Sequence, residues 1–208
     1  MHQTILDSLI DFESPGLFNQ YTSFDPAHDV LDAHLMRQKN LIEYLEIIDD
    51  PALILLAEAA GYRGCRFSGI PMTSENHLVG STQLDWAKNG SFRKTSVKDV
   101  PWREPSATIL YQVIQSRTDI LIWNTVPWHP MGKRGALSNR PPRRAEIDAG
   151  LTVLQNITVR YPSAKVVAVG RVAERSLRAI NLDTVYVRHP AHGGKPEFER
   201  GLLALLDD

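Results

Sequence analysis

The chain has 208 residues, 23 of them basic and 24 acidic, for a formal net charge of -1, so a partner held by overall positive charge is not indicated and any nucleic acid has to be met by a local site. Its single cysteine, Cys65, excludes an internal disulfide framework, a four-cysteine zinc site and a cysteine-held iron–sulfur cluster within one chain, and it fits a reducing cytoplasm. With 43% hydrophobic residues the chain can bury a full core; the expectation is one domain over 1–208, with no exported leader in "MHQTILDSLIDFESPG" and no apolar run near the roughly 18 residues of a membrane span.

Residues 1–50 read as a helical N-terminal flank, with Leu31, Leu35, Leu41 and Leu45 as the buried face of one helix. "ALILLA" (52–57) is then the first of four short runs rich in branched residues that read as buried strands. A long segment follows, Tyr62 to Glu104, broken by glycines and prolines; long connections of this kind are usually functional. Ser106 to Ser116 then repeats apolar residues at helical spacing, and "DILIW" (119–123) is the second strand. "NTVPWHPMGKRGALSNRPPRR" carries Lys133, Arg134, Arg140, Arg143 and Arg144 without an acid, a local basic patch that reads equally as a solvated loop or a DNA-facing one. Ile147, Leu151, Leu154 and Ile157 mark the next helix, "KVVAVG" (165–170) the third strand, Arg171 to Ile180 a further helix, "TVYV" (184–187) the fourth strand and "GKPEFERGLLALL" a last helix. Strands alternating with helices imply an α/β fold, a three-layer α/β/α arrangement around a central four-stranded parallel sheet.

In an open parallel sheet ligands bind beyond the carboxyl ends of the strands. Those ends carry Glu58, Asn124, Gly170 with Arg171, and His189 with His192. An asparagine amide can pair with a carbonyl and an N–H on one heterocycle edge. A histidine can donate to a ring oxygen that becomes anionic as the ring departs, and an aromatic such as Phe67 can stack on its face. That combination suggests cleavage at a nucleobase. Single residues allow plainer roles, Glu58 capping a helix or pairing with Arg63, Asn124 closing a turn, His189 ending a strand. Cys65 has no identifiable activating partner, His129, His189 and His192 lack the spacing of a metal-ligand pair, and "AVGRVAER" has too few glycines for a dinucleotide loop.

The ordered set "AEAAG", "FSG", "NTVPWHP", "VGRVA" and "HPAHGG" resembles the uracil-DNA glycosylase superfamily over roughly residues 50 to 207. The resemblance implies a four-stranded parallel sheet between helices, which agrees with the strand reading. It also implies that Glu58, Ala59, Ala60 and Gly61 form the first motif, that Phe67 stacks on a flipped-out uracil, that Asn124 reads its edge and that His189 stabilises the leaving uracil anion. Residues 190–195, with His192, Gly193 and Lys195, would form the loop entering the duplex. Ala59 stands where the best-known branch has an aspartate, so Glu58 becomes the candidate that places water. Gly61 stands where that branch has a tyrosine excluding thymine, and the lone cysteine points to a branch lacking the iron–sulfur cluster.

The function so implied is a monofunctional glycosylase of base-excision repair, hydrolysing the N-glycosidic bond of uracil in DNA without metal or organic cofactor and preferring mismatched uracil. DNA phosphates would meet Arg63, Arg171, Lys195 and the basic segment. The expected partner is uracil-containing DNA, the expected state a monomer, and the expected location the cytoplasm, associated with the nucleoid through DNA. Two other readings fit the same strand ends: a catalytically silent DNA or nucleotide binder, and a hydrolase of a small ester or nucleoside on the same sheet.

Overall fold

The computed structural model describes residues 2–207. The chain opens with α1 (His2–Ile10), a two-residue β1 (Leu17–Phe18) and α2 (Ala33–Ile47), and then enters β2 (Leu53–Ala59). Three short helices, α3 (Cys65–Ser68), α4 (Glu75–Val79) and α5 (Asp85–Lys88), break up the long segment before α6 (Pro105–Ile114) and β3 (Ile120–Val126). β4 (His129–Gly132) and β5 (Gly135–Asn139) form a hairpin, followed by α7 (Arg144–Arg160), β6 (Lys165–Val169), α8 (Arg171–Ala179), β7 (Val185–Val187) and α9 (Lys195–Leu206).

The four strands read from sequence form one parallel sheet in the order β3-β2-β6-β7. Its register sets Leu55 against Ile122 on one side and Val167 on the other, and Val167 in turn against Val185. β3 is buried along its whole length and β2 from Ile54 to Ala57, as a parallel sheet covered on both faces requires. α7 lies over β3 and α8 beside it over β6 and β2, α9 packs on β7, and α6 packs on α9, giving three layers, α/β/α. Gly150 lets α7 approach closely, since a Cβ there would stand 1.9 Å from the Thr125 carbonyl. β3 is an edge strand; its Ile122 N–H donates to the Tyr44 hydroxyl of α2 (2.9 Å), so the flank covers an edge that would otherwise be open to pairing.

Two features differ from the sequence reading. Leu41 and Leu45 are fully buried, but Leu31 is 78% and Leu35 45% exposed. α2 instead buries a polar stripe, Arg37 and Asn40, because the long connection lies against it and needs polar partners: Asn40 donates to the Ser68 and Arg93 carbonyls, and Arg37 to Thr95 and to the Gln20 carbonyl. The basic segment after β3 is the β4–β5 hairpin, which β1 extends to a three-stranded antiparallel sheet. Two of its five cations pair with acids within the chain. Arg140 pairs with buried Glu146 (2.6 Å), Arg144 with Asp148 (2.9 Å), and Arg143 donates to the Pro15 carbonyl, leaving Lys133 and Arg134 exposed at the turn. Among the described residues no helix is long and apolar enough to cross a membrane.

Candidate active site

The carboxyl ends of β2, β6 and β7 converge on two adjoining cavities of about 260 and 250 Å³. Both are bounded by Glu58, His189, Ala191 and His192. The first continues over Ala57 to Gly61, Met72, Glu104 and Asn139; the second over Val169 to Val172 and Arg188.

Glu58 is the penultimate residue of β2 and half-buried. Burial raises its carboxyl above the ordinary value, and Arg175 of α8 pulls it part of the way back. Arg63 is not its partner: that side chain folds over the ring of Tyr62 and donates to its hydroxyl (2.8 Å). His189 lies two residues beyond β7. Its Nδ1 accepts a hydrogen bond from the Ala191 backbone N–H (3.1 Å), which leaves the proton of the neutral ring on Nε2. Burial, then Arg188 and His192, hold its pKa down to about 4, so the ring is uncharged at neutral pH. Gly170, at φ +94°, sits 3.1 Å from the His189 Cβ by the position its own Cβ would take, and a Cβ on Gly194 would stand 2.1 Å from the His189 carbonyl. The loop therefore folds around the imidazole only because both positions lack a side chain.

The first-motif backbone is tied down from the end of β3 and from the hairpin. Ala60 N–H donates to the Val126 carbonyl (3.1 Å), Tyr62 N–H to Asn139 Oδ1 (3.0 Å), and a His129 ring nitrogen lies 3.0 Å from the Ala60 carbonyl. The longer connection is organised around Glu75, whose buried carboxylate accepts from the N–H groups of Thr95, Ser96 and Trp102 and from the Ser96 hydroxyl. Below it, buried Asp29 pairs with both Arg37 and Arg66.

The structure thus brings together Glu58, Gly61, Arg171, His189 and His192. It does not bring Phe67 or Asn124 to either cavity surface. Phe67 is fully buried in α3, its ring stacked on Trp102 (5.5 Å between centroids) and under the Arg66 guanidinium (4.0 Å); Met72, at φ +44°, lines the cavity in its stead. Asn124 lies inside β3 opposite Ala57, because the strand runs on to Val126, and both of its buried amide atoms lack a hydrogen-bond partner. His192 and Gly193 take left-handed backbone (φ +53° and +76°) at the exposed loop tip. Arg171 stacks on Tyr186 and pairs with Glu174 (2.7 Å). Lys195 contacts Gln112 and Glu199 from the start of α9, away from both cavities. The sequence reading passed over Met72, Glu104, Ser106 and Asn139, and took Arg140 only as part of the basic patch. The available signal was the pair Gly61 and Gly64, neither of which has a positive φ, so that glycine there answers to space rather than to conformation.

The description "Uracil DNA glycosylase superfamily" matches the chain over residues 48–197. By sequence, no curated protein matches. Among solved structures the chain is similar to the wild-type SMUG2 of Pedobacter heparinus, with a TM-score of 0.61 and 14% identity over 100% of this chain and 98% of that one; at that identity the likeness speaks for the fold. With a match that spans both the β2 and the β7 strand ends, the chain belongs to the uracil-DNA glycosylase superfamily.

Proposed function

We propose that the chain is a monofunctional uracil-DNA glycosylase, which extrudes uracil from DNA and hydrolyses its N-glycosidic bond to leave an abasic site. The supporting observation is that Glu58 and a neutral, Nε2-protonated His189 border the same cavity at the strand ends. Extrusion is needed because the scissile bond is inaccessible in the base stack; it costs roughly a few kcal/mol, least at a mismatch. Duplexes with uracil opposite guanine are therefore the better substrates.

In this reading the bond to the sugar lengthens first. The Nε2–H of His189 donates to the O2 oxygen of the departing uracilate, a fixed donor aimed at charge that develops only in the transition state. The Glu58 carboxylate balances the cationic sugar and orients the water that adds to its anomeric carbon. Asn124 is the amide that the resemblance assigns to the base edge; its two buried amide atoms have no protein partner, and because it lies inside β3 opposite Ala57, pairing with the base requires the cavity wall at Ala57 to open. Met72, from its place in the cavity wall, packs on the face of the base. The exposed tip His192–Gly193 enters the space the base leaves, and Arg63, Arg171 and Lys133 meet phosphates.

The test is alkali-induced scission of single-stranded and duplex oligonucleotides carrying one uracil, with Glu58→Gln, Asn124→Ala and His189→Ala beside the parent. Scission that falls in all three variants supports the reading. No scission in any uracil context, with salt-sensitive DNA binding retained, would replace it with the silent binder.

A further inference from the structure

Glu104 is an acid in the cavity that the mechanism above leaves unused. It precedes Pro105 at the N-cap position of α6 but makes no side-chain cap bond. Its carboxyl lies against the first motif: a Cβ on Gly61 would stand 2.8 Å from Oε1, and one on Gly64 only 2.0 Å from Oε2. The carboxyl therefore fills the volume that side chains at 61 and 64 would otherwise occupy. Oε2 is buried and has no hydrogen-bond partner, although the residue borders the cavity beside Gly61, Met72 and Ser106.

A buried carboxyl with an empty oxygen is costly unless it is protonated or meets a ligand. Here burial alone pushes it up to about 7. The groups that face it are Cys65 of α3 and Tyr111 of α6, both raised by burial, and across the cavity Glu58 of β2, Arg140 after β5, and His189 and His192 after β7. Near neutral pH the protonated acid offers one donor and one acceptor to whatever enters.

We infer that Glu104 is a specificity-determining residue: its carboxyl forms the cavity wall that position 61 leaves open, and it hydrogen-bonds to the bound base. The inference rests on the glycosylase reading of the same cavity. Within that reading, the contact asks of the bound base a ring carbonyl to accept this O–H and no substituent bulky enough to collide with the wall.

The experiment compares the parent chain with Glu104→Gln and Glu104→Ala in single-turnover excision of uracil and of thymine from guanine-mismatched duplexes, across the neutral pH range. In parallel, the carboxyl ¹³C signal of Glu104, assigned by its loss in Glu104→Gln, is followed as free uracil is added. Glu104→Gln is expected to keep selectivity for uracil while losing the decline in rate that the parent shows as its acid ionises. Glu104→Ala, which relieves rather than creates crowding at Gly61 and Gly64, is expected to lower the uracil-over-thymine ratio by roughly 10- to 200-fold, the range for adding or removing one contact in a pocket. Unchanged ratios and pH profiles in both variants, or a Glu104 signal that free uracil does not move, would overturn the inference. If the parent excises no base but the signal still moves, the contact stands and the glycosylase reading is what fails.

Discussion

His189 is held in one protonation state by its surroundings: the Ala191 N–H occupies Nδ1, while burial, with Arg188 and His192 nearby, holds the ring's pKa down to about 4. A donor whose proton sits on the right nitrogen needs no rearrangement when the base leaves. His189→Ala is expected to slow excision by roughly 10²- to 10³-fold, the usual loss for one such donor, read from single-turnover rates with the melting temperature as a check on folding. Glu58 must be ionised to place water, and burial raises its pKa. Activity is therefore expected to rise with pH through the Glu58 ionisation, and the acid limb of the rate profile should disappear in Glu58→Gln along with most of the rate. The position of both residues was legible because Glu58 follows the first apolar run at once and His189 stands two residues past the fourth, and both runs form strands of the sheet. Phe67 and Met72 were not separable in the same way: each lies three residues after a glycine in a segment of short helices, on either side of the turn at Gly69, at φ +78°.

At the scale of elements, the sheet was readable because β2, β3 and β6 are continuous apolar runs, buried on both faces and too short for helices. The β4–β5 hairpin was not, since Pro127, Pro130, Gly132 and Gly135 give its sequence the composition of a loop. Nor was the polar burial of α2, which depends on what packs against it rather than on its own periodicity. The long connection between β2 and α6 positions Met72 and Glu104 and depends on Glu75, whose carboxylate meets three backbone N–H groups and one hydroxyl. Glu75→Ala would leave those donors buried without partners, and a destabilisation of about 3 kcal/mol or more is expected from denaturant unfolding, since each such group costs about 1–3 kcal/mol. Gly170→Ala is expected to lower both stability and excision, because its positive φ and the nearby His189 Cβ leave a methyl group no unstrained position; Arg171→Ala, one residue on, should cost little stability because Arg171 is itself exposed and buried Glu174 keeps its second pair, with Arg178 (2.7 Å).

For the whole molecule, pH acts on stability with two opposite signs. His77, His129 and His189 are each held down to about 4 by burial, below the ordinary value of 6.5, so the unfolded chain binds more protons between those values and stability falls as pH drops from about 6.5 towards 4. Glu104 is raised to about 7 from an ordinary 4.5, so the folded chain holds its proton longer and stability falls as pH rises through that interval. Glu104→Gln is accordingly expected to raise the melting temperature more at alkaline pH than at acid pH. With a net charge of -1, DNA binding has to rest on local cations, and its affinity is expected to fall with salt at a slope of roughly -0.9 per phosphate neutralised.

The most direct measurement is mass-spectrometric detection of free uracil released from a guanine–uracil duplex by the parent chain, Glu58→Gln and His189→Ala, all shown to be folded. Release of free uracil with an intact abasic strand by the parent, and its near loss in both variants, is the expected result. Release at equal rates from all three, or from none while the DNA stays bound, would contradict hydrolysis by the Glu58 and His189 cavity.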